Sequence, residues 1–388
     1  MATFERGTAA GRLAVIFGFI ALAAGTAVAQ LGQEPQVHAN RTITFRVFAP
    51  TAKTVAVTGE WSRRNKPTAM TRNGFGLWTA TVGPVRPEIY QYSFVVDGVS
   101  VVDPRNAWVK PSSIWGNGSL VEVPGRRPAY YDEQNVPHGV VTQCYFYSRA
   151  LRAEQPLVIY TPPHFDPSGH SRYPVLYLLH GYGDRQTAWV VAGRANFIAD
   201  NAIAQGARPM IIVMPLGQTL PDPRFSRGQL GPWMAQNLAR EAAEVTGDII
   251  PWVQAHYPVR TDVNGRAIAG LSMGGGQALH LGLTRRDLFG YVAGFSAYLP
   301  GSGVMAAARE PEPTSRNLQL LWLSVGRQDG LLRANQRLAR ALRSHGVPNV
   351  HWEISWGHHQ WAVWRLYLSQ LLPLLFQTNP ATAIAAAR

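Results

Sequence analysis

Gly270-Leu271-Ser272-Met273-Gly274 is the stretch that most restricts what this chain can fold into. Before it, Arg266-Ala267-Ile268-Ala269 reads as a strand; after it, Gly275-Gly276-Gln277-Ala278-Leu279-His280 reads as the start of a helix. A serine in G-x-S-x-G at a strand-to-helix junction is the nucleophile elbow of an α/β-hydrolase sheet. The turn is sharp, so strand and helix pass close together and the neighbours of the serine must lack a Cβ. The helix start behind Ser272 also offers N–H groups without intrahelical acceptors, suited to a developing oxyanion.

In this fold the acid and the histidine follow the serine in that order. The apolar run Leu318 to Val325 reads as a buried parallel strand, and it breaks at Gly326-Arg327-Gln328-Asp329-Gly330. Asp329 is thereby placed at the carboxyl end of a strand, where open α/β sheets bind ligands. A helix is expected from Leu331 to His345, ended by Gly346, followed by a strand over Val350 to Ser355. The next loop, Trp356-Gly357-His358-His359-Gln360-Trp361, brings two adjacent histidines to the same sheet edge. Spacing alone leaves His358 and His359 equally placed to be the base.

Tyr173 to Leu179 reads as an early buried strand, and His180-Gly181-Tyr182-Gly183-Asp184 occupies the loop that supplies the second oxyanion donor in this fold. The oxyanion hole is therefore assigned to the backbone N–H groups of Met273 and Tyr182. Pro209 to Pro215 reads as another buried strand, and Gln236 to Tyr257 as a helix. Trp189, Trp233 and Trp361 are the candidates for lining the substrate pocket. No H-E-x-x-H helix and no clustered Cys/His set occurs, so neither a metal nor another cofactor is expected.

Residues 31 to about 124 change pattern. Thr42 to Phe48, Thr54 to Thr58, Gly76 to Val82 and Tyr90 to Val96 alternate apolar and polar residues, with Asp97-Gly98 as a hairpin turn. Strands at this spacing predict an immunoglobulin-like β-sandwich. Trp78 and Tyr92 are assigned to its core, and Trp61 is the candidate for stacking on a sugar or packing on the next domain. Residues 125–139 read as a linker, 140–376 as the α/β-hydrolase domain with a mostly parallel sheet, and 377–388 as a disordered tail.

At the other end, Arg6 and Arg12 precede the apolar segment Leu13 to Ala24, and Ala27-Val28-Ala29 forms a cleavage site. This predicts a secretory signal peptide over residues 1–29, cut after Ala29, and a secreted or periplasmic protein with no stable membrane insertion. Cys144 is the single cysteine, so no internal disulfide is possible. The formal charge of +13 falls to +12 without the leader, which carries Arg6, Arg12 and Glu5. The basic residues come as scattered pairs rather than a run, which argues against nucleic acid as a partner.

Three segments carry a resemblance to carbohydrate esterase family 1, the feruloyl and acetylxylan esterases with their esterase D-like relatives. They are Arg266 to Gly275, Tyr177 to Asp184, and His359-Gln360-Trp361-Ala362-Val363-Trp364-Arg365. The family's G-G-H-x-W-x-x-W-like motif, matched on Trp361 and Trp364, implies that His359 is the base; His358 stands where a glycine is usual. Phe45 to Pro50, Gly76-Leu77-Trp78 and Val96 to Pro104 resemble a glycogen-binding-type module. The resemblance implies a Ser272–His359–Asp329 triad acting on feruloyl or acetyl esters of xylan, an acylated polysaccharide. An enterochelin-type siderophore esterase and an acyltransferase to a sugar alcohol are the alternatives. A non-catalytic polysaccharide-binding protein is disfavoured because every triad position is filled. Oligomeric state is not legible.

Overall fold

Alternating burial along the N-terminal strands produces two facing antiparallel sheets. A computed structural model describes residues 35–62, 66–114, 116–221, 230–299, 304–306 and 318–377. The expected leader (1–29) and all but the first residue of the expected tail lie outside these residues. One sheet orders Gln36–Val37, Ile43–Phe48, Leu77–Val82 and Thr71–Arg72; the other is six-stranded and centred on Glu88–Val96. Ile43, Phe45, Val57, Tyr92 and Phe94 fill the space between them at no more than 1 % exposure. Trp61 belongs to this packing: its ring stacks on Phe45 at 5.1 Å and meets Tyr90 edge-on at 6.2 Å. Its packing partners are thus residues of its own module.

The second half is an α/β-hydrolase fold on an eight-stranded sheet. Its spatial order is Val140–Ser148, Ala153–Thr161, Ile211–Pro215, Val175–Leu179, Arg266–Leu271, Tyr291–Phe295, Leu320–Gly326 and Val350–Ser355. The first three strands pair antiparallel; from Ile211–Pro215 onward every pairing is parallel. All residues of Val175–Leu179, Arg266–Leu271 and Leu320–Gly326 are buried, as strands covered by helices on both faces require. Separate apolar clusters form on the two faces, one around Trp189, Ile198 and Tyr367, the other around Val253, Leu279 and Leu338.

One expected element differs in detail. The helix expected from Gln236 starts at Leu230, passes through a π-turn at Val245–Ile249 and resumes as Ile250–His256. Pro251 falls just inside the resumed segment, which directly follows the π-turn. The helix Trp361–Leu371 tightens at its end to a 3-10 turn around Pro373. Strands Val140–Ser148, Ala153–Thr161 and Tyr291–Phe295, and the helix Ala195–Ala204, were not anticipated.

The connecting segment 125–139 is bonded along the helix Ala195–Ala204. Asn201 Nδ2 donates to the carbonyls of Tyr130 and Asp132, and Asp200 accepts from the Gly139 N–H. The two modules also share a core, because Ile89 and Leu120 of the sandwich cluster with Trp189, Trp361 and Trp364. Arg365, fully buried, donates to Glu88 Oε1 at 2.7 Å, to the Ile89 carbonyl at 3.2 Å and to the Ala192 carbonyl at 2.5 Å. Trp108 Nε1 donates to the Val191 carbonyl. Among the described residues no helix is long and apolar enough to cross a membrane.

Candidate active site

Ser272 ends the strand Arg266–Leu271 and opens the helix Ser272–Thr284 with φ at +53°, a left-handed conformation that a non-glycine residue adopts only when its surroundings enforce it. The surroundings are two glycines under contact. A Cβ on Gly270 would stand 2.4 Å from the Gly274 carbonyl, and one on Gly274 would stand 2.4 Å from the His180 carbonyl. Strand, turn and helix therefore fit only with glycine at both positions.

Asp329 follows the strand Leu320–Gly326 and His359 follows Val350–Ser355, so all three side chains rise from the carboxyl ends of parallel strands. His359 Nδ1 lies 2.8 Å from Asp329 Oδ2, and His359 Nε2 lies 2.9 Å from Ser272 Oγ. This pattern is satisfied with the proton on Nδ1 and Ser272 donating to Nε2. The Asp329 side chain is 1 % exposed and also accepts from the Leu331 N–H at 2.8 Å. Burial alone would raise its carboxyl, but the hydrogen bond and charge of His359 with the Leu331 N–H outweigh this and hold it below the ordinary carboxylate range. Trp364 meets the His359 ring edge-on at 4.9 Å, a packing contact that limits its rotation. His358 is exposed beside it.

The expected oxyanion residues lie close by. Met273 is in the first turn of the helix, and Tyr182 is in the loop after Val175–Leu179. His180 braces that loop from below: its Nδ1 lies 2.8 Å from the Gly181 carbonyl, and its Nε2 accepts from the Gly217 N–H at 3.0 Å. Burial lowers the His180 pKa and keeps the ring neutral, which fixes Nδ1 as the protonated nitrogen.

The three tryptophans separate. Trp361 lines the cavity above Ser272. Trp189 does not: it is fully buried, donates from Nε1 to the Leu179 carbonyl, and packs edge-on against Trp361 at 5.2 Å. A layer beneath the pocket, it supports Trp361. Trp233 donates to the Pro221 carbonyl and packs against Tyr182 at 5.3 Å, in a cluster with Met273, so it buttresses the expected oxyanion residues from outside the cavity.

The cavity, of about 220 Å³, has a wall that sequence reasoning missed. Beside Ser272, His359, Tyr182, Gln360 and Trp364 it is lined by Glu60, Gln91 and Lys110, all from the sandwich. Lys110 Nζ sits 2.5 Å from Asp184 Oδ1, with both side chains at or below 10 % exposure. The Gln91 N–H donates to Glu60 Oε2 at 2.8 Å. Burial pushes the Glu60 carboxyl upward, against the opposing pull of that hydrogen bond. No motif marks these residues; the one sequence signal is the Asp at the end of His180-Gly181-Tyr182-Gly183-Asp184.

Residues 148–375 match the family described as putative esterase, and the chain belongs to that family. Residues 30–109 match carbohydrate-binding module 48, the isoamylase N-terminal domain. An endo-1,4-β-xylanase/feruloyl esterase of Xylanibacter ruminicola is 30 % identical over 355 residues, 90 % of this chain and 47 % of that protein. An esterase of Mycobacterium tuberculosis is 34 % identical over 125 residues, 30 % of this chain and 24 % of that one. The chain thus spans less than half the length of these curated relatives. Among solved structures, a ferulic acid esterase matches at 26 % identity and a TM-score of 0.53, over 62 % of this chain and 99 % of its own. The enterochelin esterase of Shigella flexneri matches at 20 % identity and a TM-score of 0.68, over 92 % of this chain and 99 % of its own, a likeness of fold across both modules.

Proposed function

We propose that the protein is an exported serine carboxylesterase that hydrolyses feruloyl or acetyl esters on plant cell-wall polysaccharide such as xylan. The observation that carries the chemistry is the continuous hydrogen-bonded line Asp329–His359–Ser272, with the serine in a left-handed turn. Ser272 Oγ attacks the ester carbonyl while His359 Nε2 takes its proton. Asp329 orients the ring through Nδ1–H and stabilises the imidazolium. The Met273 and Tyr182 N–H groups receive the oxyanion, and His359 then protonates the leaving alcohol. Water activated by the same histidine releases the acid from the acyl-enzyme.

The substrate class rests on the relative of Xylanibacter ruminicola, whose name joins xylanase to feruloyl esterase, and which aligns with 90 % of this chain. Export rests on the signal-like residues 1–29. A panel of methyl ferulate, acetylated xylan and a trilactone siderophore tests the reading. Ferulate or acetate release from the first two is expected; turnover of the trilactone alone would replace it with the siderophore reading, which the two-module likeness to the enterochelin esterase favours. Adding a sugar alcohol should leave the yield of free acid unchanged, whereas a transferase would divert the acyl group to that alcohol.

A further inference from the structure

We propose that Lys110 is a positioning residue for ester hydrolysis: acting through Asp184, with Ser112 and Ser113 beside it, it makes the sandwich hold the oxyanion loop Gly181–Asp184. The proposal rests on the reading of Ser272 as nucleophile and Tyr182 N–H as oxyanion donor.

The loop is fastened from two sides. From the hydrolase side, His180 and the Asp184 N–H both bond the Gly181 carbonyl, at 2.8 Å and 3.1 Å. The hydrolase side also holds Gly183, whose N–H donates to Gln218 Oε1 at 3.1 Å, and the sandwich bonds fall on Gly183 and Asp184. The Gly183 carbonyl accepts from the Ser113 N–H at 2.8 Å and from Ser112 Oγ at 3.0 Å, and Asp184 Oδ1 receives Lys110 Nζ at 2.5 Å. Gly183 has φ at +82°, so the peptide between these anchors takes a turn that a side chain would strain. Tyr182 stands between the two sets of anchors.

An oxyanion donor is effective only if its N–H is already aimed where the charge will develop, and displacement by an ångström forfeits much of the effect. Lys110 is 5 % exposed and Asp184 7 %, so each is the other's counter-charge in a poorly hydrated place. Loss of the ammonium leaves a buried carboxylate that must turn toward water, carrying the loop with it. The sandwich is then a component of the catalytic apparatus, not an appended binding module.

The test uses the full chain, Lys110→Met, 4-nitrophenyl acetate as substrate and phenylboronic acid, whose serine adduct places an oxygen in the oxyanion hole. The expected result is a fall in kcat of about thirtyfold, less than the hundredfold or more from deleting a donor outright. KM should stay within about twofold, and the boronate inhibition constant should rise in parallel with the loss in kcat. The double variant Lys110→Met/Asp184→Leu removes both charges and leaves none buried, so it supplies a folded test if the single one does not accumulate; the same kcat and boronate changes are expected. A lower thermal midpoint with kcat within about threefold and unchanged boronate affinity would assign the pair to fold stability alone and overturn the proposal. Ser272→Ala run alongside separates the two levels: if it stays active, the nucleophile reading fails; if it is inactive while both lysine variants remain active, only the positioning role fails.

Discussion

The two walls of the cavity are built by different means. On the hydrolase wall, Ser272, Asp329 and His359 each stand on the first residues after a parallel strand, so local turns and sheet register set their positions. On the sandwich wall, Glu60, Gln91 and Lys110 belong to another module, and contacts distant in sequence hold them there: Arg365 with Glu88, Trp108 with Val191, Lys110 with Asp184. Chemistry placed by local turns survives changes elsewhere. A wall placed by docking depends on every contact that seats the module.

The hydrolase wall should therefore break at single atoms. Ser272→Ala is expected to lower kcat by on the order of a million-fold, the scale of a protease nucleophile, with a thermal midpoint moved by only a degree or two. His359→Ala should match it, while His358→Ala, an exposed neighbour, stays within about threefold. A larger loss from His358→Ala, by steady-state kinetics, would shift the base by one residue.

Asp329→Asn ranks next, at about ten-thousand-fold in kcat at neutral pH, because the amide favours the wrong imidazole tautomer. Its effect on stability has a definite sign. The folded-state pKa of Asp329 is held below the unfolded value, so its ionised form adds stability that is complete above the unfolded pKa, about 4. That contribution is lost as pH falls through the lower, folded value. Acid unfolding followed by fluorescence should lose this component in the Asn variant; an identical acid limb would contradict the carboxylate's role.

These two predictions rest on residues legible in the sequence, for a physical reason. Ser272 and Asp329 are announced by backbone demands, glycines under contact at one turn and a strand end at the other, which leave local patterns. His359 was separated from His358 by resemblance alone, since both follow the same strand and only the three-dimensional path to Ser272 distinguishes them. The sandwich wall had no such signal. Lys110 sits on the two-residue strand Val109–Lys110, and its partner is 74 positions away. Trp189 was misplaced for a related reason: an aromatic residue close to a motif in sequence can lie one layer below the pocket, and a layer is not a sequence property.

The docking contacts should give intermediate effects that appear in stability before activity. Arg365→Met leaves Glu88 and two carbonyls without their donor at the seam between the modules. Breaking a buried pair from one side costs about 3–5 kcal/mol, which lowers the thermal midpoint by on the order of 10 °C. At 25 °C, kcat should remain within about tenfold. Scanning calorimetry reads the comparison directly: a single transition moving downward means the seam couples the modules, and a split into two would mean that they already unfold apart.

Glu60→Gln should have the smallest effect and is the sharpest contrast between the walls. Asp329 and Glu60 are carboxyls near one cavity, yet their pKa values move in opposite directions. Asp329 has a histidine partner that favours its ionised form; Glu60 is dominated by burial, which disfavours ionisation. An acid whose folded pKa is raised loses stability as pH climbs from the unfolded value, about 4.3, through the folded one, since the native state binds the proton more tightly. Gln keeps an oxygen to accept from the Gln91 N–H and removes the ionisation. The variant should therefore be slightly more stable at neutral pH, by less than about 1 kcal/mol, with a flatter midpoint-against-pH curve above pH 4. Because Glu60 has no hydrogen bond to Ser272, His359 or Asp329, kcat for a small acetyl ester should change by less than about threefold. A loss of stability at neutral pH would mean that ionised Glu60 holds a cationic partner across the seam, and that the two carboxyls are poised alike.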